Sequence, residues 1–367
     1  MKGNILKKER TEWIDLARGW AIVLVVFAHT PIPAKLSSYI YSFHVPLFFI
    51  ISGFLLHSGL SKKPTDFIKN KVLRLAVPYL FFSLIGYAYW LIARHFGWEA
   101  GADSINIMTP LNGTFMAIRD SLFMTHNSAL WFICSLFVSE IVFYLIYKMV
   151  KGDKFLLVSA AFAIMVVGMI YNTFDGAALP WAIDTIPIVL VFLCFGYFVH
   201  EYYPVWKKVR AQYNLIRWGA MLSLLTLSIV SWILITKTPA GLVDMYYGIY
   251  GNFVLYFVAA FSGALAVMLL FESFILKFKQ LSYIGANSLI IYALHQKVIF
   301  GLIGVALTAI IGRSHIFIGQ TSLDKLANGL SYVALALVIL LLISPLLIRY
   351  CGPFIGRGIR KNTKDSV

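Results

Sequence analysis

Apolar residues run in long blocks along the chain, separated by short polar connections that carry most of its Lys and Arg. A helix that crosses a bilayer needs about 20 mostly apolar residues. Ten blocks meet that demand, at 13–30, 38–58, 73–96, 128–149, 155–172, 182–200, 214–236, 248–271, 283–308 and 330–350. Pro46 interrupts the second block and Pro78 the third, which a bundle tolerates where neighbouring helices or water satisfy the freed backbone groups. No internal repeat or low-complexity linker divides the pattern. The expected fold class is all-α, a polytopic membrane protein of about ten transmembrane helices. It comprises a short segment (1–12), a membrane domain (13–350) and a basic tail (351–367).

The distribution of Lys and Arg predicts the orientation, because loops rich in these residues stay on the cytoplasmic side. One set of connections holds Lys2, Lys7, Lys8 and Arg10, then Lys62, Lys63, Lys69, Lys71 and Arg74, then Lys148, Lys151 and Lys154. The same side continues with Lys207, Lys208, Arg210 and Arg217, then Lys277 and Lys279, and ends with Arg349, Arg357, Arg360, Lys361 and Lys364. The alternate loops hold only Lys35, Arg94, Arg119, Lys237, Arg313 and Lys325. Both termini are therefore expected in the cytoplasm. The first block follows basic residues as a signal peptide would, but Asp15 and Arg18 interrupt it and no small-residue cleavage site follows, so it reads as a retained helix.

Composition removes other classes. With 60% hydrophobic and 13% charged residues, the chain has about half the usual charge and cannot build a soluble surface. The net charge of +15 belongs to membrane topology and not to nucleic-acid binding, since it sits between the apolar blocks. Cys134, Cys194 and Cys351 are far apart and read as packing residues, with neither a disulfide framework nor a metal-ligand spacing. The longest polar segments, about 97–127 and 309–329, are too short to be domains, which places any chemistry inside the bundle or at its mouths.

Ionisable groups within spans are costly and mark function by default. They are Asp15, Arg18, His29, His44, Glu140, Asp184, His295 and Lys297. At 100° per residue, Asp15, Arg18 and His29 fall within about 60° of one another and form a polar stripe, with Arg18 about 16 Å from His29 along the axis. The plainer alternative is an interfacial Asp15–Arg18 pair with His29 snorkelling at the outer end. Ser52-Gly53, inside a bulky apolar run, permits close approach of a helix or a ligand. Lys71 and Arg74 put two cations at the start of the third block. Trp131 and Glu140 face opposite sides of one helix, while Ser288, Tyr292 and His295 lie within about 60° on another and make a second polar face. Asp184 follows Pro180-Trp181 at a span boundary, His44 beside Pro46 has the weaker case, and His57, His95, His126, His200 and His315 fall at span ends or in loops. Phosphate-binding glycine loops, dinucleotide fingerprints and zinc-protease motifs are absent.

Arg18 and His29 with ten residues between them, followed by Ser52-Gly53-Phe54, resemble the membrane acyltransferase-3 family. Lys71-x-x-Arg74 is similar to the family's Arg-x-x-Arg motif, Leu130-Trp131 with Glu140 to its Trp and Glu positions, and Tyr292 to His295 to its late histidine segment. Pro180-Trp181 and Asp184-Thr185 resemble the fucose 4-O-acetylase-like subgroup. The likeness covers about residues 12 to 350. Lys71 departs from it, keeping the charge but not the bidentate fork of an arginine. An appended extracytoplasmic hydrolase-like domain is also lacking, so delivery could need a separate soluble partner.

The resemblance implies an O-acyltransferase of the bacterial inner membrane. It would move acetyl from cytoplasmic acetyl-CoA to a sugar hydroxyl of an envelope glycan or its lipid-linked precursor. On that expectation Arg18, Lys71, Arg74 and Ser52 receive coenzyme A, and His29 acts as general base or as acyl relay. Glu140 and His295 orient the reacting groups, and Asp15 holds Arg18. Trp131, Asp184, Ser288 and Tyr292 shape the substrate path, and no metal is expected. The competing expectation is a glycan or lipid-linked sugar exporter that transfers no acyl group.

Overall fold

A computed structural model describes residues 2–174, 176–212, 214–273, 278–314, 316, 319 and 321–357, with the side chains of 2–11 and 210–214 outside that description. Lys277, His315, Arg360, Lys361 and Lys364 lie outside the described residues. The chain is helical: α1 (Lys2–Ala28), α2 (Ala34–Tyr41), α3 (His44–Leu56), α4 (Pro64–Lys71), α5 (Val77–His95), α6 (Met108–Met116) and α7 (Trp131–Met149). Then come α8 (Lys154–Thr173), α9 (Ile186–Gln212), α10 (Asn214–Ile235), α11 (Phe253–Ser273), α12 (Lys279–Ala286), α13 (Ser288–Leu294), α14 (Phe300–Ile311) and α15 (Ser322–Cys351). Among the described residues there is no strand, only an isolated bridge between Asp244 and Ile249.

Among the described residues, nine helical segments are long and apolar enough to cross a membrane, from Ala34–Gly59 to Ser322–Ile355, and they coincide with the second to tenth apolar blocks. The protein is thus an all-α, multi-pass membrane protein. The first block is helical too, but Glu12, Asp15 and Arg18 leave α1 a short uninterrupted apolar stretch. Protein surrounds that stretch. Ala17, Ala21, Ile22 and Val26 are fully buried, and α1 packs on α3, α11, α12, α13 and α15. Burial separates centre from rim: the α3 and α7 spans are 67% buried, whereas those of α8 and α10 are 17% buried and face the lipid.

Glycines let the central helices meet backbone to backbone. A Cβ on Gly19 would lie 2.2 Å from the Leu281 carbonyl oxygen, and one on Gly285 would lie 1.7 Å from that of Asp15, so α1 and α12 cross in direct contact. Gly53 stands in the same relation to Leu193, and Gly196 to Ile50, which joins α3 to α9.

Pro46 sits inside the first turn of α3, where a missing N–H costs least. The second block breaks ahead of Pro46, at Ser42–Phe43 between α2 and α3. Ahead of Pro78, residues Val72–Ala76 form a π turn in which the Val77 N–H reaches back to the Val72 carbonyl. A second π turn, His295–Ile299, joins α13 to α14, with the Phe300 N–H on the His295 carbonyl. Such turns concentrate at functional sites, and these two carry Arg74, His295 and Lys297.

Candidate active site

Two cavities enter the bundle from its opposite ends. The larger, of about 470 Å³, is lined by Arg18, Ser52, Lys71, Arg74, Glu140, Asn287, Ser288, Tyr292 and Arg357, with apolar walls. The α1–α12 glycine contact brings the start of α13 beside α1, so the Arg18 Nη2 donates to Ser288 Oγ at 2.9 Å. That bond runs across the helix interface, and the expected Asp15–Arg18 ion pair is not formed among the described residues. Instead, the Asp15 backbone carbonyl packs on Gly285.

Lys71 and Glu140 form a buried ion pair with Nζ and Oε2 2.8 Å apart, the side chains being 19% and 6% exposed. Pairing commits Lys71 to its partner and offsets part of the cost of burying both groups. Arg74 stays exposed at the cavity mouth.

Arg357, counted from the sequence as part of a basic tail, returns to this cavity. A tight turn at Gly352–Ile355 and Gly356 at φ +74° lead the backbone over Arg74, and the Arg357 Nη2 then donates to Asn287 Oδ1 at 2.5 Å and to the Ala286 carbonyl at 3.0 Å. A conformation with φ > 0 suits glycine and little else. Three arginines and two lysines, Lys62 and Lys71, therefore line a single volume.

The second cavity, of about 330 Å³, is lined by His29, Tyr41, His44, Ser121, Thr125, Trp131, Asp244, Tyr246, Tyr247, Tyr292, Gln296 and Lys297. Its three histidines, His29, His44 and the adjacent His295, share one anchoring device. Each imidazole Nδ1 meets a backbone carbonyl three or four residues back on its own helix end: His29 with Val25 at 2.8 Å, His44 with Ile40 at 2.6 Å, and His295 with Tyr292 at 2.8 Å and Ile291 at 3.2 Å. A carbonyl only accepts, so each Nδ1 carries the proton and each Nε2 keeps its lone pair. The His295 Nε2 faces His29 Nδ1 at 3.4 Å, with ring centroids 5.0 Å apart. The His29 Nδ1–H thus has two acceptors behind it, and its basic nitrogen is free for chemistry.

The walls of this cavity are fixed by ion pairs. Arg119 and Asp184 pair with side chains 5% and 6% exposed, and Arg119 also donates to the carbonyls of Met245 (2.7 Å) and Tyr246. Asp184 is therefore a buried strut beside the cavity, outside its lining. Lys297 pairs with Glu99. Asp244 lies in the loop before α11, where burial lifts its carboxyl above the ordinary range against the pull of the Tyr246 and Tyr247 N–H groups. Trp131 lines this cavity and Glu140 the other, as their opposite helical faces require.

The sequence profile of the acyltransferase domain family Acyl_transf_3 matches residues 11–351, nearly the whole chain. The chain belongs to the acyltransferase-3 family. No curated protein and no solved structure matches it. Family membership supports a membrane acyltransferase.

Within this acyltransferase, the structure gathers Arg18, Ser52, Lys71, Arg74, Glu140 and Ser288 at one cavity and His29, His295 and Trp131 at or beside the other, with Tyr292 on both and Asp15 and Asp184 on neither. Arg357, Asn287, Arg119 and Asp244 escaped sequence reading because each acts through tertiary contact. Only the Gly352-Pro353 and Gly356 turn signals hint at the return of Arg357. Outside both cavities, His57, His200 and Glu201 stand within metal-sharing distance, but the Glu201 oxygens already contact His57 Nε2 (2.9 Å) and Lys154 Nζ (2.7 Å), tying the turn that follows α3 to α8 and α9.

Proposed function

We propose that the protein is an O-acetyltransferase that takes acetyl from acetyl-CoA at the arginine-lined cavity and places it on a sugar hydroxyl presented in the histidine-lined one. The observation that carries this reading is the meeting of a cationic cavity and an imidazole cavity at one shared wall. Arg18, Arg74 and Arg357 offer planar donors suited to the phosphates of a nucleotide, and the apolar depth beyond them suits a pantetheine arm. The positive-inside pattern assigns that mouth to the cytoplasm.

In the other cavity the His29 Nε2 removes the proton from the acceptor hydroxyl as its oxygen attacks the thioester carbonyl. The C–S bond breaks, the acetyl ester forms, and the proton passes from His29 to the departing thiolate. Val25 and His295 behind Nδ1 hold the ring and stabilise the imidazolium formed in passing, the part a carboxylate plays in a hydrolase triad. Trp131, Tyr246 and Tyr247 offer flat apolar faces to a sugar ring, and Asp244 and Gln296 offer hydroxyl partners. The acceptor is an envelope glycan or its lipid-linked precursor, and the membrane a bacterial inner membrane, with the fucose 4-O-acetylase-like subgroup as the nearest resemblance.

The test is acetyl transfer from labelled acetyl-CoA by purified protein in vesicles carrying candidate lipid-linked glycans. Label on the glycan with wild type and none with His29→Ala supports the reading, and full transfer by a folded His29→Ala protein excludes His29 as the base.

A further inference from the structure

The two cavities have three lining residues in common: Phe48 on α3, Phe132 on α7 and Tyr292 on α13. These rings form the partition between the arginine side and the histidine side, with Phe48 and Phe132 centroids 5.8 Å apart and Phe132 and Tyr292 centroids 5.4 Å apart, both edge to face. Under the proposed reaction an acyl thioester must pass this wall, so one of the three must yield.

The packing singles out Tyr292. Phe132 is wedged against Phe48, Phe49, Trp131 and Tyr292, and Phe48 rises from α3, which is locked to α9 by its glycine contacts. Tyr292 is held to the wall through its hydroxyl, which donates to the Ala129 carbonyl and meets the Phe132 backbone, and through ring contacts with Phe132 and His295. It also sits on a short helix with a break at each end, Asn287 before it and the His295–Ile299 π turn after it. The same face of α13 carries Ser288, which holds Arg18, and His295, which backs His29. A shift of this one helix therefore touches both cavities and the wall between them.

We propose that Tyr292 is the movable pane of this partition: latched to Ala129 it closes the wall, and released it admits the acyl thioester to His29. This rests on the acyl-transfer reading above. Tyr292 is a positioning residue, since it acts by where it stands. A closed wall keeps water in the histidine cavity from the thioester until an acceptor is seated.

The full chain in vesicles, supplied with acetyl-CoA with and without glycan acceptor, tests this through Tyr292→Ala, which opens the wall, and Tyr292→Phe, which removes only the latch. Thiol release without acceptor should rise about tenfold in Tyr292→Ala and less in Tyr292→Phe, as expected when a water-excluding closure is lost. Transfer per thiol released should fall in both, with folding of each variant certified by thermal unfolding in detergent and coenzyme A affinity read separately by equilibrium dialysis. A Tyr292→Ala protein that binds coenzyme A normally and keeps the wild-type ratio of transfer to hydrolysis overturns the gate and leaves the acyltransferase reading standing. If Tyr292→Ala lost its coenzyme A affinity while Tyr292→Phe kept wild-type coupling, Tyr292 would be structural and the gate would again be overturned. A wild type that neither transfers acetyl nor releases thiol overturns the acyl-transfer reading itself.

Discussion

The His295 Nε2 stands 3.4 Å from the His29 Nδ1, and both rings hold their Nδ1 protons on carbonyls of their own helix ends. On the proposed reading His295 is the acceptor behind the base, with no basic nitrogen left over for the acceptor sugar. His295→Ala should therefore lower kcat about 10–100-fold while leaving the acetyl-CoA KM near wild type, and His29→Ala should lose transfer more completely. Steady-state kinetics on the two variants separates the roles. Equal loss in KM and none in kcat for His295→Ala would remove His295 from the chemistry.

Arg357 should be part of the donor grip, although it lies at the far end of the sequence from Arg18. Arg357→Ala is expected to weaken coenzyme A binding about tenfold or more, the scale of a charge-assisted hydrogen bond, with a small effect on kcat. Equilibrium dialysis reads this directly. Truncation before Gly352 should reproduce it.

The Lys71–Glu140 pair makes a stability prediction. Removing one partner of a buried pair leaves an uncompensated charge, so Glu140→Leu or Lys71→Leu should each cost about 3–5 kcal/mol, and the double substitution should recover much of that loss. Thermal unfolding in detergent measures all three. Additive losses in the double variant would mean that the pair is not coupled.

Much of the fold could be read from the chain because apolar run length is a local property: blocks two to ten reappear as spans, and the shared face of Ser288, Tyr292 and His295 follows from helical periodicity. The pairing of groups could not be read so directly. The loop cation Arg119 meets Asp184, Lys71 meets Glu140 and Arg357 meets Asn287 only after distant helices pack, and charge counting treats the basic members of these pairs as topology signals. The i,i+3 spacing of Asp15 and Arg18 points to a direct pair, but the glycine crossing of α1 and α12 puts Ser288 within reach of the guanidinium.

A pH prediction comes from the loop ahead of α7. His126 is fully buried, its Nε2 lying 2.8 Å from Ser83 Oγ and 3.3 Å from Thr114 Oγ1, and burial with the nearby Lys297 charge pushes its pKa down to about 4. The unfolded chain, with histidine near 6.5, binds more protons between those values. Stability from this site is therefore complete above about pH 6.5 and declines as pH falls towards 4. Thermal melts across that range should show the decline, and His126→Gln should flatten it. A wild-type slope in His126→Gln would assign the acid sensitivity elsewhere.

On the proposed reading, donor and acceptor enter from opposite ends of the bundle, one to each cavity. The most direct test supplies labelled acetyl-CoA to only one face of oriented proteoliposomes, with the glycan acceptor on the other, and compares wild type with His29→Ala. The account predicts acetylated glycan when acetyl-CoA is given at the Arg18 face, none when it is given only at the opposite face, and none with His29→Ala. Equal transfer from either face, or undiminished transfer by a folded His29→Ala protein, would contradict it.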